Sequence, residues 1–274
     1  MVRISRGRWA WLLLAIAMNT PAAVADRFLT LASTTSTRDS GFFDAVLPAF
    51  EAKTGIQVRV VAVGTGRALR LAERGDVDAV LVHDRSSELA FVSGGHGIAR
   101  REVMYNDFVV IGPSGDPARV RGVRDAATAF VRIAESRAIF TSRGDDSGTH
   151  KAELRLWEAV GIDARTASGT WYRETGTGMG ATLNTAAEFG AYLLVDRGTW
   201  LSFKNRGDLQ VLVEGDPRLR NVYGIILVNP ERHPHVKSEQ ARVFAEWLVS
   251  KEGRTAIAAF RLEGMQLFHP LIQE

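Results

Sequence analysis

The stretch Ala138-Ile139-Phe140-Thr141-Ser142-Arg143-Gly144-Asp145-Asp146-Ser147-Gly148-Thr149-His150 decides how the chain is read. Ala138 to Phe140 is a short apolar strand pattern and Lys151 to Val160 a helical one, so the loop between them sits where a strand hands over to a helix. N–H groups at a helix start lack intrahelical acceptors and carry the positive end of the dipole. Such a junction holds an anion readily, and Arg143 adds a planar fork for oxygen atoms.

The same junction recurs along the chain. Phe28 to Ala32 leads into Ser33-Thr34-Thr35-Ser36-Thr37, and helical spacing of Phe42, Phe43, Val46, Leu47 and Phe50 follows, with Pro48 expected to kink or restart that helix. Gln57 to Val63 is a strand ending at Gly64-Thr65-Gly66, followed by a helix over Arg67 to Arg74. Thr175-Gly176-Thr177-Gly178-Met179-Gly180 precedes a helix that runs to about Gly190. Strands alternating with helices give an α/β protein. In such sheets ligands bind at the carboxyl ends of the strands, where these four loops lie. Gly, Ser and Thr also make ordinary turns and caps, and for any single loop that reading is the better one. Four loops of one kind weigh against it.

The segments Asn106 to Pro113 and Tyr223 to Pro230 are both apolar strands that stop at proline. If each crosses between lobes, lobe I comprises residues 26–110 and 226–274 and lobe II residues 111–225. Two loops then belong to each lobe and face one cleft. The loops contain hydroxyls and bare N–H groups, one arginine inside the small-residue run and no lysine, so a small ligand would be enclosed by dipoles with one countercharge. Asp145 or Asp146 would serve as acceptor for a protonated phosphate, or would cap a helix or orient Arg143. The last two are the plainer roles.

The first residues give the address. Arg3, Arg6 and Arg8 precede an apolar run too short to span a bilayer, and Ala23-Val24-Ala25 is an A-x-A pattern before Asp26, so residues 1–25 read as a signal peptide cleaved after Ala25. The formal charge of +3 is carried by those three arginines, which leaves the exported chain formally neutral and without a stripe for nucleic acid. With no cysteine there is neither a disulfide framework nor a thiolate metal site. A monomer free in a bacterial periplasm fits these features.

Catalytic readings find little support. The Gly144 to Gly148 run has one residue too many for the Gly-Asp-Ser-Gly of a protease nucleophile and does not match G-x-S-x-G. A periplasmic serine hydrolase using Ser147 with His150 or His83 is kept as the reading from another class. No H-E-x-x-H, P-loop or complete G-x-G-x-x-G is present. Trp157, Trp171, Trp200 and Trp247 read as core packing, and Tyr105-Asn106-Asp107 as a hinge or cleft rim.

Taken together, Ser33 to Gly41, Val63 to Gly66, Gly75 to Asp78 with Val82-His83, Met104 to Phe108, Ser142 to His150, Gly178 to Gly180 and Asp196 to Thr199 resemble the tungstate-binding component of a bacterial ABC transporter. The likeness runs in one order over the whole exported chain. It implies a type II periplasmic binding protein fold, two lobes each with a mixed, mainly parallel sheet flanked by helices, and no catalytic residues. It also implies tungstate as ligand, an inner-membrane ABC permease as partner and no cofactor. Carried over by motif, the threonine-rich first loop and Arg143 become oxyanion ligands. The expected set is Thr34, Thr35, Ser36 and Thr65 from the first lobe and Arg143, Ser147, Gly148, Thr149, Thr177 and Gly178 from the second. Ser33 stands where the family usually has threonine, which keeps the hydroxyl. Molybdate and phosphate are the alternative ligands. Tungstate and molybdate are tetrahedral dianions of nearly equal size, and no residue type separates them.

Overall fold

The computed structural model describes residues 27–272, so the signal-peptide reading of residues 1–25 lies outside the described residues. Among the described residues no helix is long and apolar enough to cross a membrane. The first lobe opens with β1 (Phe28–Thr34), α1 (Thr35–Asp39), α2 (Phe42–Thr54), β2 (Gln57–Val63), α3 (Thr65–Glu73), β3 (Ala79–Val82) and α4 (Arg85–Ser93). Strand β1 pairs in parallel with both β2 and β3. Pro48 lies inside α2, which runs unbroken, so the expected restart does not occur.

The long strand β4 (Gly97–Pro113) joins the lobes. The second lobe continues with α5 (Ala126–Ser136), β5 (Phe140–Ser142), α6 (Gly148–Ala159), β6 (Tyr172–Glu174), α7 (Met179–Phe189), β7 (Leu193–Asp196), α8 (Arg197–Ser202) and β8 (Leu209–Val213). The chain then returns through β9 (Arg220–Val228), α9 (Ser238–Val249), α10 (Lys251–Ala259), the hairpin β10 (Arg261–Leu262) and β11 (Met265–Gln266), and β12 (His269–Pro270). Residues 97–107 of β4 pair antiparallel with β9, whereas Phe108 to Pro113 pair antiparallel with β7 and β8. Each lobe is therefore mixed: in the first, β9 pairs antiparallel with β3 and β4 while β1, β2 and β3 are parallel, and in the second, β7 and β8 pair antiparallel with β4 while β5 and β6 are parallel.

Register corrects the expected lobe boundaries. Strand β9 pairs with β3 and with the first half of β4 from Arg220 onward, so a division after residue 225 would cut through one strand. The second crossing precedes it, between β8 and β9, and the first falls at residues 107 and 108 rather than after residue 110. The proline-stopped runs looked alike because both strands are buried on two faces, and an apolar run reports that burial and not a change of lobe.

Alternation along the strands shows the layering. On β9, Tyr223, Ile225 and Leu227 enter one core with Phe50, Phe244 and Trp247, while Ile226 and Val228 enter another with Leu69 and Phe91. On β4, Phe108 and Val110 pack with Phe130, Trp157 and Tyr192, and Val109 and Ile111 pack with Leu183 and Trp200. Period two puts successive side chains on opposite faces, so each sheet is a filling between helix layers. Phe260 and Phe268 of the C-terminal tail complete the first lobe's core.

Candidate functional site

The junction loops end at helix starts, and their small residues are what allow the two lobes to touch. Gly148 is the first residue of α6, and a Cβ added to it would lie 2.5 Å from His83 Cε1 and 3.1 Å from Thr65 Oγ1, both in the other lobe. Thr65 opens α3, is wholly buried, and its hydroxyl has no hydrogen-bond partner. Gly66 faces Asp146 in the same manner: an added Cβ would fall 1.9 Å from Asp146 Oδ2. The first lobe's second loop and the second lobe's first loop thus meet across the cleft.

Arg143 is 5% exposed although it lies in a loop. Its Nε donates to Asp145 Oδ2 at 3.1 Å and to the Thr177 carbonyl at 2.9 Å, and its Nη2 also pairs with Asp145. Gly176 N–H donates to the Arg143 carbonyl at 2.9 Å and Thr175 N–H to the Ser142 carbonyl at 3.0 Å, so the loop before α7 holds the arginine loop in place. Asp145 thereby takes the orienting role. Asp146 is exposed and pairs with Lys151 at 3.2 Å and Arg70 at 3.5 Å.

Ser147 is the N-cap of α6, its Oγ accepting from His150 N–H at 3.2 Å. That bond satisfies one of the helix's orphan donors. Thr149 is 3% exposed in the first turn. Thr34 caps α1, its Oγ1 lying 2.7 Å from Thr37 Oγ1 and 3.2 Å from Ser36 Oγ, and Thr35 and Ser36 are half-buried at the start of that helix. Ser33 Oγ donates to the Leu81 carbonyl at 2.7 Å, which ties β1 to β3. Thr177 and Gly178 are exposed; Gly178 is the N-cap of α7, and Thr177 Oγ1 lies 3.4 Å from Thr182 Oγ1. The structure therefore brings Thr65, Gly148 and the Arg143 loop together, keeps Thr34 to Ser36 within their own turn, and uses Thr177 for its carbonyl.

Behind this seam runs a polar row that the loop composition did not announce. His83 Nδ1 donates to Asn221 Oδ1 at 2.9 Å, since that oxygen only accepts, and Asn221 Nδ2 donates to Asn106 Oδ1 at 2.7 Å. All three are buried, and burial lowers the His83 pKa to about 4, so the ring is neutral. Asp196, also buried, caps α8 through Thr199 N–H at 2.9 Å, and its pKa is raised by burial against the Thr199 bonds and the field of Arg143. An Asp-x-x-Thr cap before a helix was the available signal for it. Of the six buried side-chain atoms without a partner among the described residues, Thr65 Oγ1, Thr141 Oγ1, Asn106 Nδ2 and His150 Nε2 belong to the junctions and the first crossing. Leaving such a group unpaired costs about 1–3 kcal/mol, a cost that bonding to a ligand oxygen would remove.

A second set of contacts closes the rim. Lys151 Nζ donates to Ser87 Oγ at 2.8 Å and lies 4.0 Å from Asp84, and Arg155 pairs with Asp84, linking α6 to the start of α4. Burial opposes ionisation of Asp84, but the Ser87 hydroxyl and Arg155 hold its carboxyl below the usual range.

Residues 19–252 match the PBP superfamily domain. The tungstate-binding protein TupA of Peptoclostridium acidaminophilum is 45% identical over 246 residues, which cover 88% of this chain and 85% of that protein. The solved tungstate-binding protein TupA of Desulfovibrio alaskensis G20 superposes with a TM-score of 0.79 at 45% identity, covering 90% of this chain and 100% of that one. The chain belongs to the TupA family. A tungstate ABC transporter structure from Geobacter sulfurreducens agrees, with 46% identity, a TM-score of 0.77 and coverage of 85% and 98%. Against this background the serine-hydrolase reading is not favoured, because the Ser147 hydroxyl is the cap of α6 and His83 is turned to Asn221.

Proposed function

We propose that the chain captures tungstate between its lobes in the periplasm and delivers it to an inner-membrane ABC permease. The observation that carries this reading is the meeting of Thr65 and Gly148 across the cleft beside one buried, clamped arginine. Thr34, Thr35, Ser36, Thr65, Arg143, Ser147, Gly148, Thr149, Thr177 and Gly178 form the proposed contact set, through hydroxyls, loop N–H groups and the guanidinium. Molybdate fits the same description. Phosphate fits less well: a protonated phosphate needs an acceptor, and Asp145 is engaged by Arg143 while Asp146 points to Lys151 and Arg70. An anion touching both lobes favours the closed arrangement by its differential affinity, which a permease can read.

Calorimetry and thermal unfolding of protein stripped of bound anion test the proposal. At a tungstate concentration 100 times the Kd the native state gains about 2.7 kcal/mol. For a chain of this size that raises Tm by about 5–10 °C. No heat and no shift with tungstate or molybdate would overturn it, and elemental analysis of protein purified without added ligand gives an independent check.

A further inference from the structure

A cavity of about 590 Å³ lies between the lobes, sharing His83 and no other member of the row or loops described above except Asn221. Its volume falls in the range of sites for drug-sized molecules, far beyond what a tetrahedral oxyanion fills. Four arginines line it, Arg85 and Arg220 from the first lobe, Arg155 from α6 and Arg218 from the turn between β8 and β9. Glu102 is the one acid among the lining residues. Arg85 pairs with Glu102, Arg155 with Asp84, and Arg218 with Asp125 and Asp216. Arg220 differs: its guanidinium lies 3.9 Å from the centre of the Tyr105 ring and has no carboxylate partner among the described residues. The remaining wall is apolar, with Phe108, Leu156, Val222 and Leu271.

We infer that this cavity is a second ligand site, taking a small organic anion whose oxygen-rich head pairs with Arg220 and whose flat apolar body lies on Phe108 and Leu156. A planar guanidinium already positioned by an aromatic face offers two parallel N–H donors to a carboxylate or phosphate at little further ordering cost. An inorganic oxyanion would leave the apolar wall uncovered. Both lobes build the site, so it exists as a cavity only when they are together. Occupancy is therefore coupled to closure, and closure to whatever fills the loop site, reciprocally.

Calorimetric titration with phenyl phosphate, on the full exported chain with and without saturating tungstate, tests this. In tungstate-saturated protein, where the loop site is blocked, phenyl phosphate should bind saturably. Its affinity should exceed that of inorganic phosphate, and should be at least about fivefold tighter than in tungstate-free protein. Arg220→Glu should abolish it by charge reversal, and Ala159→Trp, from an exposed position on the cavity wall, should abolish it by filling the space. Cooperative unfolding at the parental Tm shows that both variants fold. The site is overturned if phenyl phosphate fails to saturate in either state or binds both variants as it binds the parent. Inorganic phosphate binding equally well would overturn the amphipathic ligand, and equal affinity with and without tungstate would overturn the coupling. The tungstate-free titration stands even if tungstate is not the ligand of the loop site.

Discussion

Gly148 and His83 touch across the cleft so closely that a single methyl group on the glycine would overlap the imidazole, with 2.5 Å from the added carbon to Cε1 and 2.8 Å to Nδ1. The ring is tethered by its bond to Asn221 and packed on one side against Tyr223, with centroids 4.8 Å apart, so moving it would break that buried bond. Gly148→Ala is relieved most cheaply by parting the lobes. Since apparent affinity scales with the population able to bind, tungstate binding should weaken by at least about tenfold. The Tm of the anion-free protein should stay within about 2–4 °C of the parent's. Parental affinity in the variant would show that closure does not bring these residues into contact.

Arg143 is the charge whose loss should matter most at the loop site. Arg143→Lys removes the planar fork and with it one charged hydrogen bond worth about 1.5–3 kcal/mol, a loss of about tenfold to a hundredfold in tungstate affinity. Arg143→Glu faces an anion with an anion and should abolish binding. Isothermal titration of both, with circular dichroism to verify the fold, checks this. Parental affinity in both would confine Arg143 to clamping its own loop through Asp145 and Thr177.

What was legible in the sequence is what is local. Thr65, Gly148 and Arg143 stood out because strand, small-residue turn and helix follow one another within a few residues, and composition reports such junctions directly. The α/β class was legible from the alternation of strands and helices, whereas the mixing of the sheet was implied only by the family resemblance, because the antiparallel pairs of β4 and β9 join segments far apart in sequence. The lobe boundary was not, because Tyr223 to Val228 reads the same whether it crosses between lobes or is buried within one, and only its register with β3 and β4 decides. The His83–Asn221 bond and the contacts of Asp84 with Lys151 and Arg155 join residues far apart in sequence. No single-sequence pattern encodes such pairs. Thr177 shows the opposite limit: its residue type suggested a hydroxyl donor, and the structure uses its carbonyl to hold Arg143.

His83 makes stability fall in mild acid. Burial, only partly offset by the Asn221 bond, keeps its folded pKa at about 4 against 6.5 when unfolded. Between those values the unfolded chain takes up a proton that the folded chain does not. Stability is therefore intact above pH 6.5 and falls as pH drops from 6.5 towards 4, by about 1.4 kcal/mol per pH unit and about 3 kcal/mol in all. His150, whose pKa burial also lowers, adds to the same trend, so the comparison must be with a variant. His83→Gln keeps an amide donor for Asn221 and should flatten the pH dependence of chemical denaturation between pH 7 and 4.5. Equal slopes in parent and variant would exclude His83 as the source.

Glu153 acts in the opposite sense, deep in the second lobe under the Arg143 loop. It is 1% exposed, accepts from Tyr172 Oη at 2.6 Å and from Trp157 Nε1 at 3.2 Å, and burial raises its pKa from 4.5 to about 7 against those bonds. Its folded pKa lies above the unfolded one, so the protonated form is favoured by folding, and this benefit is complete below pH 4.5. It is lost as pH rises to 7, above which the folded protein carries a buried charge that the unfolded chain holds in water, a difference of about 3 kcal/mol. A neutral isostere escapes that loss. Glu153→Gln retains an oxygen for Tyr172 and Trp157, so its unfolding free energy should exceed the parent's at pH 8 by as much as about 3 kcal/mol, while the two converge at pH 4.5. Urea denaturation at the two pH values measures the difference. A variant less stable than the parent at pH 8 would mean that Glu153 is held ionised, its charge balanced by the donors around it.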